Sequence, residues 1–367
     1  MNNRERFAAA MAFEPIDRMC HMEWGIWGDT MTRWKQQGLP PHVVQFKKDC
    51  LSDEIEIFEY LGVMREETLP LEGYFIPPFI RRTIEETDDY IIESNERGVT
   101  LKQNKRNMSI PEFLKYPMKD RKDYETLKER LHCDVAARYP KNWQEMALFL
   151  REQKQNVVRI FFDGFFGYPR EIMGLVQFLY NLHDDPDLVK DIINDRVNFY
   201  IRMSEKAIRE ARPDYAFIWE DMSYKNGPLI SPDMFKEFML PAYKKFISYL
   251  KGMGIRIIMV DSDGDISKLI PLWIEGGVTA LLPFEVMAGM DVIEVAKQYP
   301  KLQILGGIDK LEIAKGKKAI DAELKRVLPY MAKRGGYCAT LDHHIHPQID
   351  LDTYQYYTEQ ITKFRLI

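Results

Sequence analysis

Six short apolar runs rich in Val, Ile and Phe punctuate the chain from residue 157 onward, each followed by a longer amphipathic stretch. They cover 157–162, 215–219, 255–260, 278–283, 302–306 and 337–341. Runs this short suit strands buried on both faces. The stretches between them, such as 232–251 and 320–332, read as helices, with Ser231 and Pro232 offering N-cap and first-turn residues. A further strand is expected within 18–24. This alternation predicts an α/β fold, a (β/α)8 TIM barrel with N-terminal helices. A doubly wound sheet is the rival, but no Gly-x-Gly-x-x-Gly follows the first strand. Near residues 80–105 two β-rich runs flank Asn95-Glu96-Arg97-Gly98 and predict a β-hairpin insertion. Residues 118–131 read as a surface helix. No repeat or linker divides the sequence, so 1–367 is read as a single domain.

Composition narrows the function. Of 367 residues, 46% are hydrophobic and 29% charged, an ordinary globular balance. Lys plus Arg number 51 against 56 Asp plus Glu, and the net charge of -5 argues against nucleic acid as a partner. No apolar run reaches membrane-span length, and none near the start reads as a secretory signal, so a cytoplasmic protein without a membrane partner is expected. Cys20, Cys50, Cys133 and Cys338 are far apart in sequence, which fits a reducing compartment and excludes a cysteine-only zinc knuckle.

In a barrel the site forms at the carboxyl ends of the strands. Each of the six runs ends near an acid: Asp163, Glu220-Asp221, Asp261-Ser262-Asp263, Glu285, Asp309 and Asp342. Helix capping accounts well for Asp265 and Asp309 but poorly for Glu220-Asp221, which a long loop separates from the next helix. Asp261, Asp263 and Asp265 have the spacing of one strand face, while the glycine position excludes an EF-hand loop. Such acids serve as metal ligands or as a general acid of raised pKa. His343, His344 and His346 follow Asp342, and His343 is the candidate to join Asp261 and Asp263. Trp24, Trp27, Phe165, Phe166 and Tyr224 stand beside strand exits and are expected, with Glu285, to line a pocket for a flat ligand.

The stretches 3–18, 219–232, 305–310 and 342–347 resemble the uroporphyrinogen decarboxylase superfamily along essentially the whole chain. The resemblance implies the barrel and two kinds of activity, decarboxylation of porphyrinogens and methyl transfer with corrinoid (cobalamin) proteins. The paired arginines that hold substrate carboxylates in the decarboxylases have no counterpart in 22–33. The zinc-binding His-x-Cys of the family's methyltransferases is matched by Asp261-Ser262-Asp263, and the late Cys by His343.

The resemblance therefore implies a methyltransferase that demethylates a small methylated donor, favoured as a methoxylated aromatic. The methyl group would pass to cobalamin on a partner corrinoid protein. Glu220, Asp261, Asp263 and His343 are the expected catalytic residues and the expected ligands of a Zn2+ ion. A homodimer is one assembly consistent with this reading. The alternatives are a porphyrinogen decarboxylase and a non-catalytic binding barrel.

Overall fold

The computed structural model describes residues 1–43, 55–106, 110–132 and 134–365; Cys50 and Cys133 of the cysteine pattern lie outside these. In chain order the strands begin with β1 (Glu66–Thr68). An insertion supplies β2 (Arg82–Glu86), β3 (Tyr90–Ser94), β4 (Thr100–Asn104) and β5 (Glu112–Lys115). Then come β6 (Val157–Asp163), β7 (Tyr215–Trp219) and a ribbon of β8 (Ser223–Tyr224) with β9 (Gly227–Pro228). The last are β10 (Ile257–Asp261), β11 (Ala280–Leu282), β12 (Gln303–Leu305) and β13 (Tyr337–Cys338).

One parallel sheet runs β1-β6-β7-β10-β11-β12-β13. The segment expected near 18–24 closes it. His21 bridges Ala339 past β13, and Met22 bridges Met64 ahead of β1. The Met22 N–H donates to the Ala339 carbonyl at 3.2 Å, and the Met64 N–H to the His21 carbonyl at 3.0 Å. Eight strand positions thus form a ring, and the open doubly wound sheet is excluded. The strand missing from the apolar pattern is β1. Its residues are polar because Glu66 meets Arg159 at 2.6 Å and accepts the Tyr215 hydroxyl.

Alternation along each strand builds two cores. Met22, Met64, Val157, Phe217, Met259, Leu282 and Cys338 fill the barrel interior. Val158, Ile160, Phe162, Ile218, Ile258 and Leu281 belong to the second core, with the helix layer that includes Pro186–Ala211. Burial on both sides is why these strands read as unbroken apolar runs. Cys20 and Cys338 meet in the interior as free thiols, Sγ to Sγ 2.8 Å. The helix Asn3–Met11, started by an Asn2/Glu5 capping box, plugs the amino end of the barrel with Phe7, Ala10 and Met11. The Gln303 amide donates to the Met11 carbonyl at 2.7 Å and fixes the plug.

The expected hairpin is β3–β4. It is the middle of a four-stranded antiparallel sheet, β2-β3-β4-β5. At its tip, Asn95 Oδ1 accepts the N–H groups of Arg97 and Val99. Arg97 reaches back to the barrel, pairing with Glu171 at 2.8 Å and covering the Tyr74 ring at 3.7 Å. The surface helix lies at Arg121–His132, and 232–251 is helical with a π turn at Phe235–Met239. No helix among the described residues is long and apolar enough to cross a membrane.

Candidate active site

The carboxyl ends of β10, β11 and β13 bring three side chains together. Ligand-type atoms of Asp263, Glu285 and His343 lie within 4.8 Å of one another, and all three residues are half-buried. His343 Nε2 is 3.3 Å from Asp263 Oδ2. The Gly264 N–H donates to Glu285 Oε2 at 2.9 Å. Gly264 is required there: its φ is +81°, and a Cβ would come within 2.7 Å of the Tyr224 backbone. Phe284, just ahead of Glu285, is held at φ +64°, a costly conformation for a bulky residue.

The electrostatics of the cluster follow from burial and like charge. Burial lowers the pKa of His343, but the hydrogen bond and charge of Asp263, with the charge of Glu285, more than offset this and leave it raised. Burial and the Asp263 charge raise Glu285. His344 goes the other way: burial and the charge of His343 pull it down to about 4. Asp261 is wholly buried, and burial, Asp221 and Asp263 push its carboxyl well above the usual range. Its Oδ1 has no hydrogen-bond partner.

Two tryptophans wall the cluster. Trp27 stacks on His343, with centroids 5.7 Å apart and planes at 12°, and Trp24 meets His343 and His344 edge-on at 5.4 and 4.6 Å. Tyr224, carried on the β8–β9 ribbon, is 67% exposed at the rim. Trp24, Trp27, Tyr224, Glu285, Asp263, Asp261 and His343 therefore all lie at strand exits or the loops beside them, as expected. Within the group of three, Glu285 stands where Asp261 was expected.

Glu220, Phe165 and Phe166 have other surroundings. The Glu220 carboxylate is wholly buried and accepts the N–H groups of Phe165, Phe166 and Gly167 at 2.8–2.9 Å, together with the Tyr243 hydroxyl. It caps the helix Gly167–Met173, which follows β6, not the helix that follows its own strand. With every oxygen committed, it stands apart from the Asp263–Glu285–His343 group. Burial raises its pKa against these hydrogen bonds. Gly164 exists for this contact, since a Cβ would lie 2.0 Å from the Glu220 carboxyl carbon. Gly164 and Gly167 on either side of Phe165 and Phe166 are thus required by close approach, Gly167 to the Trp219 carbonyl. Phe165 packs on Tyr243 and Phe246, and Phe166 on Phe178, in the layer between barrel and helices. These rings are core and do not line the mouth.

Sequence reasoning passed over two cations. Arg170 donates to the Asp221 carbonyl at 2.7 Å and pairs with its carboxylate at 3.2 Å, while covering the Trp219 ring at 4.6 Å. Lys310 pairs with buried Asp342 at 2.9 Å. Lys310 follows the 302–306 strand by a few residues, which was the available signal. Arg170 and Lys310 thus each sit against an acid.

No curated protein matches the sequence significantly. Among solved structures, a methyltransferase from Methanosarcina mazei aligns with a TM-score of 0.61 at 14% identity, over 98% of each chain. That likeness speaks for the fold. A structure provisionally described as a vitamin-B12 independent methionine synthase from Listeria monocytogenes aligns with a TM-score of 0.39 at 13% identity. It covers 61% of this chain and 69% of its own, and carries no further argument. The family model of uroporphyrinogen decarboxylase (URO-D) matches residues 89–364, most of the chain. The chain belongs to the uroporphyrinogen decarboxylase family.

Proposed function

We propose that this chain is a methyltransferase that demethylates a small methylated donor, in our reading a methoxylated aromatic, and passes the methyl group to the cobalamin of a partner corrinoid protein. The observation that carries the reading is the Asp263–Glu285–His343 cluster at the barrel mouth, walled by Trp24 and Trp27. A porphyrinogen with many carboxylates needs free basic groups. Here Arg170 and Lys310 are paired with Asp221 and Asp342.

The step balances as a transfer of a methyl cation equivalent. The carbon–oxygen bond breaks, the oxygen keeps its electron pair, and cobalt(I) of the partner supplies the pair for the new carbon–cobalt bond. A poor leaving group of this kind needs its developing charge neutralised. His343, protonated and held by Asp263, gives a proton to the leaving oxygen. The tryptophans orient the ring, and Tyr224 meets the partner or donor at the rim.

Two carboxylates and an imidazole also form a fitting donor set for a zinc-type ion, and Asp263 Oδ1 is buried with no other partner. Asp263, Glu285 and His343 would hold it. When bound, such an ion would take the place of the His343 proton, since a ligating imidazole is neutral, and would supply Lewis-acid polarisation of the leaving oxygen. Glu220 then supports the site through the helix it caps.

The test is a spectral assay for methylcobalamin with a reduced corrinoid acceptor and a panel of methoxyarenes. Methyl transfer with release of a phenol is expected. No transfer from any donor, with decarboxylation of uroporphyrinogen in its place, would refute the reading.

A further inference from the structure

We infer that Asp342 and Lys310 form the positioning pair that fixes the Asp263–Glu285–His343 set for a divalent cation, an inference that rests on the metal reading given above. Asp342 is completely buried at the exit of β13. Its Oδ2 accepts the Val286 N–H at 3.0 Å and the Lys310 ammonium at 2.9 Å, and its Oδ1 accepts the Lys310 backbone N–H at 3.0 Å. One carboxylate thus ties together the loops that follow β11, β12 and β13.

The residues beside its anchors are the cluster itself. Val286 follows Glu285, and His343 follows Asp342. Glu285 accepts the N–H of Gly264, which follows Asp263, and His343 returns to Asp263 at 3.3 Å. Chain neighbours and polar contacts alternate around a closed ring: Asp263–Gly264, Glu285–Val286, Asp342–His343, and back to Asp263. Asp342 is the one carboxylate in this ring that is not a ligand. Outer partners of this kind orient ligands and set metal affinity.

The two members of the pair act with opposite sign on a cation. Lys310 neutralises Asp342 and lets it stay buried as a carboxylate, yet it also sets a positive charge beside the cluster. Removing Asp342 opens the ring and leaves that charge uncompensated. Removing Lys310 leaves the two backbone anchors and adds negative charge near the site. A salt bridge with only a structural role would weaken metal binding alike from either side.

The experiment is titration of the metal-free protein with Co2+, followed by its visible absorption, for the wild type, Asp342→Asn, Lys310→Met and the double variant. Asp342→Asn should weaken binding by roughly 10–100-fold and shift the band, the usual effect of losing an outer partner. Lys310→Met should bind as tightly as the wild type or more tightly. The double variant leaves no unpaired buried charge and decides the matter if Asp342→Asn does not fold; it should bind at least about tenfold more weakly than the wild type. Unchanged affinity in the folded Asp342 variants overturns the inference, as does equal weakening from either single change. A wild type that binds no Co2+ overturns the metal reading and this inference together.

Discussion

The two ends of the barrel solve opposite problems. At the amino end, Phe7, Ala10 and Met11 of the first helix enter the interior, and charged groups beside it form pairs, Arg4 with Asp214 and Glu66 with Arg159. At the carboxyl end, burial and the charge of Asp263 raise the proton affinity of Asp221, Asp261 and Glu285, and Oδ1 atoms of Asp261 and Asp263 are left without partners. One end sets its carboxylates against arginines; the other sets carboxylates beside one another and leaves two of their oxygens without partners. Strain of this kind is kept where chemistry needs it. The outer wall beside the mouth carries its own acid, Glu220, whose oxygens are all committed to hydrogen bonds.

That contrast breaks most visibly if the wall is altered. Glu220→Ala would leave three buried N–H groups and the Tyr243 hydroxyl without their acceptor. A loss of about 3–5 kcal/mol in denaturant unfolding is expected, comparable with breaking a buried charged network. Phe166→Ala should cost about 3–5 kcal/mol as a core truncation and leave donor affinity in the folded fraction unchanged. A marginal stability change in either would return these residues to the mouth.

At the mouth the balance reverses. His343→Ala or Asp263→Ala should lower turnover by roughly 10²-fold or more while the melting temperature holds or rises. A next, smaller effect concerns protonation. In the metal-free protein His343 titrates above an ordinary imidazole, so the stabilisation its charge provides is complete below the unfolded pKa and is lost as pH rises through the folded one. Asp263→Asn should move that titration downward in ring-proton NMR, and His344, already near 4, should follow less. An unmoved His343 would mean that Asp263 is not its partner. Least in size, Trp27→Ala should weaken donor binding by about 0.5–1.5 kcal/mol beyond buried area, read as a higher KM at similar kcat.

The barrel was legible because its strands are apolar on both faces, and closure by 21–22 was legible as a short run ahead of them. β1 was not, since Glu66 exchanges apolar character for partners at Arg159 and Tyr215. Site acids could be found by reading strand exits, but sorting them could not be done that way. Glu220 caps a helix that begins more than 50 residues earlier, and Glu285 joins Asp263 through the amide of Gly264. Both relations pass between neighbouring strands of the ring, which sequence order conceals. Gly164 and Gly167 belong to the same relations: the Glu220 carboxyl and the Trp219 carbonyl occupy the space where a Cβ would stand.

The most direct test of the central claim is the rate of methylcobalamin formation from a methoxyarene and a reduced corrinoid acceptor, measured for the wild type beside Asp263→Ala. The account predicts transfer by the wild type with release of the phenol, and a loss of roughly 10²-fold or more in the folded variant. Equal rates in the two proteins, or no transfer by the wild type from any donor in the panel, would contradict it.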